Sequence, residues 1–314
     1  MYIGIDLGGT NIAAAVVDEC GMITRRTGTP TAADRGAKAV IEGLLSVCST
    51  LTEAGAAPLS IGIGVPGMVD NETGDVIYTP NLPLSGVNIT RDLRSKYGCP
   101  VYLGNDANCA ALGETVAGGA KGARDVVFIT LGTGVGGGIV LDGHLHTGVN
   151  DTAGELGHMV IIAGGRACGC GRKGCWEMYA SATGLAITAH EFMGNHADSL
   201  LWELCRGESE RVDGRIVFKA YRAGDCAAQL TVGLYIEHLA AGIVNIINIL
   251  EPELFCIGGG ISNEWDCFAE RLQAAVDAEK YTRSSPESPQ TRIVKAELGN
   301  DAGIIGAAML GNRE

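Results

Sequence analysis

Apolar runs closed off by glycine punctuate this chain from its first residues. Tyr2 to Leu7 reads as a buried strand, Gly8-Gly9-Thr10 as a tight turn, and Ile12 to Val17 as the return strand. The chain therefore opens with a hairpin whose tip is Asp6-Leu7-Gly8-Gly9-Thr10-Asn11. Between Ala33 and Ala54, Val40, Leu44, Val47, Cys48 and Leu51 recur close to helical spacing. Ser60 to Val65 predicts the next strand, ending at Pro66-Gly67, and Asp70 to Gly86 reads as a loop containing Thr79-Pro80-Asn81-Leu82-Pro83. Pro100 to Gly104 predicts a strand running straight into Asn105-Asp106-Ala107-Asn108. Ala107 to Val116 then reads as a helix with Asp106 near its N-cap.

Ala117 to Ala123 is small and glycine-rich, and a hinge is expected there. The opening pattern then recurs, with a strand at Val126 to Leu131, a turn at Gly132-Thr133-Gly134-Val135-Gly136-Gly137 and a return strand at Gly138 to Leu141. Helical patterns dominate from Met178 to Leu250. Leu254 to Ile257 predicts a strand entering Gly258-Gly259-Gly260, followed by a helix from Trp265 to Ala278. Thr291 to Ala296 is the last expected strand and Ala302 to Leu310 the closing helix. Strands mixed with helices throughout predict an α/β protein in two lobes, and 314 residues suffice for two cores.

Charge narrows the choice of ligand. A net charge of −13 argues against a broad contact with the backbone of DNA or RNA. It also means that an anionic ligand must be held by local dipoles or a metal ion. Eleven cysteines, an odd number scattered along the chain, make a poor disulfide framework and fit a reducing cytosol. The opening strand has no basic or long apolar stretch before it, so no signal peptide is expected. The most apolar segment, Leu230 to Leu250, carries Glu237, His238, Asn245 and Asn248, which suits a buried helix better than a membrane span.

The densest chemistry lies between Gly154 and Glu177. His158, Cys168, Cys170 and Cys175 offer one imidazole and three thiolates, a donor set for a closed tetrahedral zinc with no position left for a catalytic water. Reduced cysteines in a glycine-rich turn are the alternative. Glu155 and Glu177 bracket the cluster, and carboxylates fixed near one spot suit hydroxyl groups of a ligand.

Gly132 to Gly137 matches the glycine spacing of a dinucleotide fingerprint, but a strand follows where that fingerprint needs a helix. No lysine follows a suitable glycine loop, so a Walker A site is also excluded. Glycine-tipped hairpins remain, at Gly8-Gly9 and at Gly132 to Gly137, with a third glycine run at Gly258 to Gly260. Each tip alone is equally an ordinary turn. Two with matching flanks point to phosphate binding by backbone N–H groups, with Thr10, Asn11 and Thr133 adding side-chain donors. A nucleoside triphosphate brings its own magnesium, and Asp6 is the natural carboxylate for that ion, directly or through water. Asp106 reads equally as a helix cap and as a hydroxyl-proton acceptor in phosphoryl transfer, with Asn105 beside it to orient hydroxyls. His144, His146, His190, His196 and His238 are expected to be surface residues, the last three of them in helices.

Taken together, Asp6 to Asn11, Gly64-Val65-Pro66-Gly67, Asn105 to Asn108, Leu131 to Gly138, the Gly154 to Glu177 stretch, Ile257 to Gly260 and Gly303 to Ala308 resemble the ROK family (repressors, open reading frames and kinases), and among its branches bacterial ATP-dependent glucokinases. The resemblance implies the two-lobed actin-like ATPase (ribonuclease H-like) fold with the active site in the inter-lobe cleft. Its lobes would be 1–117 rejoined by 297–314, and 118–296. It implies ATP-dependent phosphorylation of glucose on its 6-hydroxyl with Asp106 as catalytic base. Gly67, Asn81, Asn105, Glu155, His158 and Glu177 would surround the sugar. Mg-ATP would lie on Asp6, Gly8, Gly9, Thr10, Asn11, Gly132, Thr133, Gly134, Gly137, Gly258, Gly259 and Gly260. It further implies a structural zinc and a cytoplasmic homodimer without nucleic-acid or membrane partners. Pro83-Leu84-Ser85-Gly86 departs from the Pro-Gly-Trp frequent in glucokinases, on the sugar-side loop. Rival readings are a kinase for N-acetylmannosamine, allose or fructose, and a sugar-sensing repressor. The repressor is disfavoured because its helix-turn-helix would precede a strand that here starts at residue 2.

Overall fold

The computed structural model describes residues 1–52, 57–284, 287 and 290–311. The chain begins with β1 (Tyr2–Leu7), β2 (Asn11–Val17), β3 (Ile23–Pro30), α1 (Ala37–Thr52), β4 (Ser60–Val65), β5 (Met68–Asp70), β6 (Asp75–Tyr78) and β7 (Val87–Asn88). It continues with α2 (Arg91–Tyr97), β8 (Val101–Asn105), α3 (Asp106–Ala117), β9 (Val126–Leu131), β10 (Val135–Leu141) and β11 (His144–Leu145). Helices α4 (Glu177–Ala180), α5 (Ala182–Met193), α6 (Leu200–Leu204), α7 (Gly214–Arg222) and α8 (Cys226–Leu250) come next. Strand β12 (Leu254–Gly258), α9 (Trp265–Glu279), β13 (Arg292–Lys295) and α10 (Asp301–Met309) complete the order.

These elements divide into two units, one formed by Met1–Phe128, Gly137–Gly154 and Ala296–Glu314, the other by Ile129–Gly136 and Glu155–Lys295. The first holds a sheet of order β3-β2-β1-β4-β8. Strands β1, β2 and β3 pair antiparallel, whereas β1, β4 and β8 pair parallel. Strand parity decides what each face of β1 meets. Ile3, Ile5 and Leu7 bury against Val40, Leu44, Val47, Cys48 and Leu51 of α1, the five positions whose spacing predicts that helix. Residues 53 and 54 of the expected helix lie outside the described residues.

The opposite face of the sheet receives α10 at unusually close range. A Cβ on Gly4 would overlap the carbonyl of Ile304, and one on Gly62 the carbonyl of Ala307. Helices α3 and α10 meet the same way, since a Cβ on Gly306 would overlap the Cys109 carbonyl and one on Gly113 the Ala302 carbonyl. Glycine allows this backbone-on-backbone approach because it has no Cβ. The expected hinge at Ala117 to Ala123 lies inside this unit. There the buried carboxylate of Glu114 accepts from the N–H groups of Gly119, Glu297 and Leu298 at 2.9–3.0 Å.

A second sheet has the order β11-β10-β9-β12-β13, with β12 and β13 parallel. The second unit is built round α8, whose Tyr235, Leu239 and Ile243 are fully buried. This helix is long and apolar enough to cross a membrane by length and composition, and 61% of its most apolar window is buried within the protein.

Several local features differ from the sequence reading. The Asp70 to Gly86 loop begins at the last residue of β5 and contains β6, and these two form a three-stranded sheet with β7; strands of two to four residues are too short to show alternation. The polar edge strand β3 and the short α2 carry no apolar stripe. His196 lies outside any helix, and His190, His196 and His238 are half-buried rather than superficial, the His238 ring centroid 4.9 Å from that of Tyr179.

The close seam predicts a large effect of one methyl group. Gly62→Ala should lower the free energy of unfolding by roughly 1–3 kcal/mol, the range for overpacking a close-fitted interior. Urea denaturation measures it, and an unchanged midpoint would show that α10 is free to move off the sheet.

Candidate active site

Asp6 lies near the end of β1, on the face turned towards α10, and its carboxyl carbon is 3.5 Å from where a Cβ on Gly303 would sit. Burial, and secondarily the charge of Asp106, push its pKa up from 3.8 to about 6. The first turn of α10 beside it works the other way, because helix N-termini favour negative charge. Beyond Asp6 the hairpin tip exposes Gly9, Thr10 and Asn11. The turn is closed by Gly8 N–H donating to the Asn11 carbonyl at 3.0 Å.

Asp106 opens α3 and is exposed, with its Oδ1 accepting from the Ala107 N–H at 2.9 Å. The cap itself is Asn105, not Asp106. Asn105 Oδ1 accepts from Ala107 N–H (2.9 Å) and Asn108 N–H (3.2 Å), leaving Asp106 as the first helical residue. Sequence could not separate two adjacent capping residues; the extended backbone of Asn105 does. Asn105 Nδ2 donates to the Gly67 carbonyl at 3.1 Å, fastening that turn to the start of α3. Gly67 has φ +131°, and a Cβ there would overlap the Tyr78 carbonyl. Asn81 is exposed, its Cβ about 4.0 Å from where one on Gly9 would lie.

In the second unit, Gly132 and Gly134 are half-buried and Thr133 exposed, and Gly132 N–H donates to the Gly134 carbonyl at 3.1 Å. Gly137, expected with them, lies buried within β10, in the first unit. Gly258 ends β12 and is buried, while Gly259 and Gly260 are exposed. Gly259 has φ +85° and lies against the backbone of Leu131, at the end of β9.

His158, Cys168, Cys170 and Cys175 converge, their ligand atoms all within 4.8 Å of one another. Cys170 Sγ and Cys175 Sγ are 3.6 Å apart, and Cys168 Sγ is 3.7 Å from His158 Nδ1. Tetrahedral zinc bond lengths give edges of about 3.8 Å for S···S and about 3.6 Å for N···S, so this group fits the ion. Antiparallel bridges Val160–Cys175 and Ala167–Lys173 fold the segment back on itself. Burial raises the pKa of the Cys168 and Cys175 thiols, whereas the Arg172 N–H lowers that of Cys170. His158 Nε2 is 3.9 Å from Glu155, which is exposed. Glu177 Oε1 accepts from the Cys168 thiol at 3.0 Å, and Oε2 lies 2.5 Å from where a Cβ on Gly134 would sit. Glu177 thus joins the cysteine cluster to the second glycine tip, a link that no spacing in the sequence encodes.

Solved structures establish the class. The chain superposes with a TM-score of 0.79 on a ROK family glucokinase from Streptomyces griseus solved with glucose and AMPPNP, at 32% identity over 100% of this chain and 99% of that one. The fold is the two-lobed actin-like ATPase fold of α/β class found in ROK sugar kinases. The model of the ROK family matches residues 2–314, and the chain belongs to that family. Among its relatives are a glucokinase from Thermotoga maritima, 36% identical over 98% of this chain and 96% of the relative, and an N-acetyl-D-glucosamine kinase from Vibrio cholerae, 34% identical over 99% of each.

The raised pKa of Asp6 carries a sign. The folded state holds this proton more tightly than the unfolded state, so stability falls as pH rises from about 4 to about 6. Above that window the ionised group destabilises the folded, ligand-free protein. Asp6→Asn should therefore stabilise the ligand-free protein at pH 7.5 and lose that advantage at pH 4. Urea melts at both pH values test it; a destabilised variant at pH 7.5 would mean that the carboxylate is compensated by its surroundings.

Proposed function

We propose that this protein transfers the γ-phosphoryl group of ATP to the 6-hydroxyl of glucose. It is an ATP-dependent sugar kinase, as its family and its near-full-length kinase relatives support. The observation that carries the chemical reading is the pair Asp6 and Asp106, near enough for the charge of one to act on the other. Phosphoryl transfer relies mainly on positioning and charge neutralisation, and two carboxylates can divide those tasks. Asp106, held at the start of α3 by the Asn105 cap, takes the proton of the 6-hydroxyl as its oxygen bonds to the γ-phosphorus. The bond to the bridging oxygen breaks and ADP leaves. Asp6 would hold the magnesium ion of Mg-ATP, directly or through water, and a cation there supplies neutralisation of phosphate charge. Gly8, Gly9, Thr10, Asn11, Gly132, Thr133, Gly134 and Gly258 to Gly260 would contact the nucleotide.

Gly67, Asn81, Asn105, Glu155, His158 and Glu177 would contact the sugar. Zinc held by His158, Cys168, Cys170 and Cys175 would supply rigidity only, because four protein ligands leave no open position. His158 would bind it through Nδ1, the nitrogen facing Cys168, leaving Nε2 on the Glu155 side for a sugar hydroxyl. None of the eleven cysteines is disulfide-bonded, in keeping with the cytoplasmic reading. The homodimer implied by the family resemblance is part of this reading.

A coupled assay of ADP release over glucose, N-acetylglucosamine, N-acetylmannosamine, allose and fructose tests the substrate. Glucose should give the highest kcat/KM; preference for N-acetylglucosamine would move the chain to the function of its Vibrio relatives. Asp106→Asn should lose at least ~10²-fold in kcat, the scale of general-base catalysis, with glucose affinity retained. For the metal, Cys175→Ala should bring zinc well below one per chain by elemental analysis and weaken glucose binding in calorimetry. A metal-free wild type with full activity would remove zinc from the account.

A further inference from the structure

Each glycine-tipped hairpin is fastened by one backbone N–H and one threonine hydroxyl that come from elsewhere in the chain. At the first tip, the buried Thr31, which follows β3, donates its N–H to the Thr10 carbonyl at 2.9 Å and its hydroxyl to the Gly8 carbonyl at 2.6 Å. At the second, Ala182 N–H donates to the Gly132 carbonyl at 2.8 Å, and the Thr183 hydroxyl to the Thr133 carbonyl at 2.8 Å. Ala182 and Thr183 are the first two residues of α5, whose cap is Ser181. Each pair lies wholly within its own unit.

The geometry of the peptide group turns these bonds into a statement about donors. In a trans peptide the carbonyl and the N–H of the next residue point in opposite directions, and the chain has no cis bonds among the described residues. A carbonyl tied down to the unit therefore turns the following N–H away from it. The Gly8 carbonyl sets the N–H of Gly9, and the Gly132 and Thr133 carbonyls set those of Thr133 and Gly134. Gly9 and Thr133 are exposed and Gly134 is half-buried. Donors fixed before a ligand arrives bind anions better than donors that must first be ordered.

We propose that Thr31 and Thr183 are positioning residues for the nucleotide, one for each hairpin. Their hydroxyls hold the Gly8 and Thr133 carbonyls inward, so that the N–H groups of Gly9 and Gly134 face the phosphates of ATP. Neither hydroxyl touches the nucleotide. This assignment rests on reading the tips as phosphate sites, and it adds to that reading the residues that orient them.

Thr183 is the better test, because it is exposed and its loss does not open the core. Purified full-length protein is titrated calorimetrically with AMPPNP plus magnesium, and separately with glucose. Thr183→Val should weaken AMPPNP binding by about two- to tenfold, the net worth of one hydrogen bond. Its glucose affinity should stay within about twofold, and Thr183→Ser, which keeps the hydroxyl, should restore the nucleotide affinity. Thr31→Val and Thr31→Ser should behave in the same way, with added loss of stability for the valine variant because Thr31 is buried. Wild-type AMPPNP affinity in Thr183→Val overturns the proposal, as does an equal loss of affinity for both ligands. Thr10→Val and Thr133→Val separate the two ideas. If they weaken AMPPNP binding while Thr183→Val does not, the tips bind phosphate and only the clamp fails. If all three bind AMPPNP like wild type, the reading of the tips fails with it.

Discussion

The closeness of α10 to the sheet is the constraint on which the first unit depends. Gly4 and Gly62 remove every side-chain atom between the sheet and the carbonyls of Ile304 and Ala307, and Gly113 and Gly306 do the same between α3 and α10. Three elements are thereby locked at backbone distance: β1, which carries Asp6, α3, which begins with Asp106, and α10, whose first turn reaches Asp6. A wider spacing filled by ordinary side chains would leave rotamer freedom between the two carboxylates. Interiors packed this tightly transmit small displacements rather than absorb them, so the relation between the acids is set by main chain.

That rigidity keeps a charge where folding alone would not place it. Asp6 is half-buried and near a like charge, and its ionised form disfavours the folded state. The magnesium ion proposed for this site would neutralise that charge. The second unit solves a different problem by different means. Its cysteine segment has little regular structure, only two isolated bridges and a short turn of 3-10 helix at Leu156–His158, and within it four donors converge. Glu177 opens α4, touches that cluster on one side and Gly134 on the other, so support for the cysteines also reaches the glycine tip.

Much of this was legible in the residues themselves. The strand β4, the buried stripe of α1, the two glycine tips and the convergence of His158 with the three cysteines all follow from local spacing. Periodicity reports that one face of an element is buried, and glycine reports that the backbone turns or comes close; both signals are written within a few residues. A ligand set confined to one short segment is legible for the same reason.

The sequence by itself thus determined the order of elements, the positions of the tips and the candidate carboxylates. Tertiary structure alone decided which of two neighbouring residues caps α3, that Asp70 to Gly86 forms strands, and which partners hold the key groups. Thr31 on the Gly8 carbonyl, Thr183 on the Thr133 carbonyl and Ala307 over Gly62 join residues far apart in the chain. Hydrogen bonds and close packing depend on position and direction in space, and nothing in the local pattern around a threonine or a glycine names the distant carbonyl that it will meet.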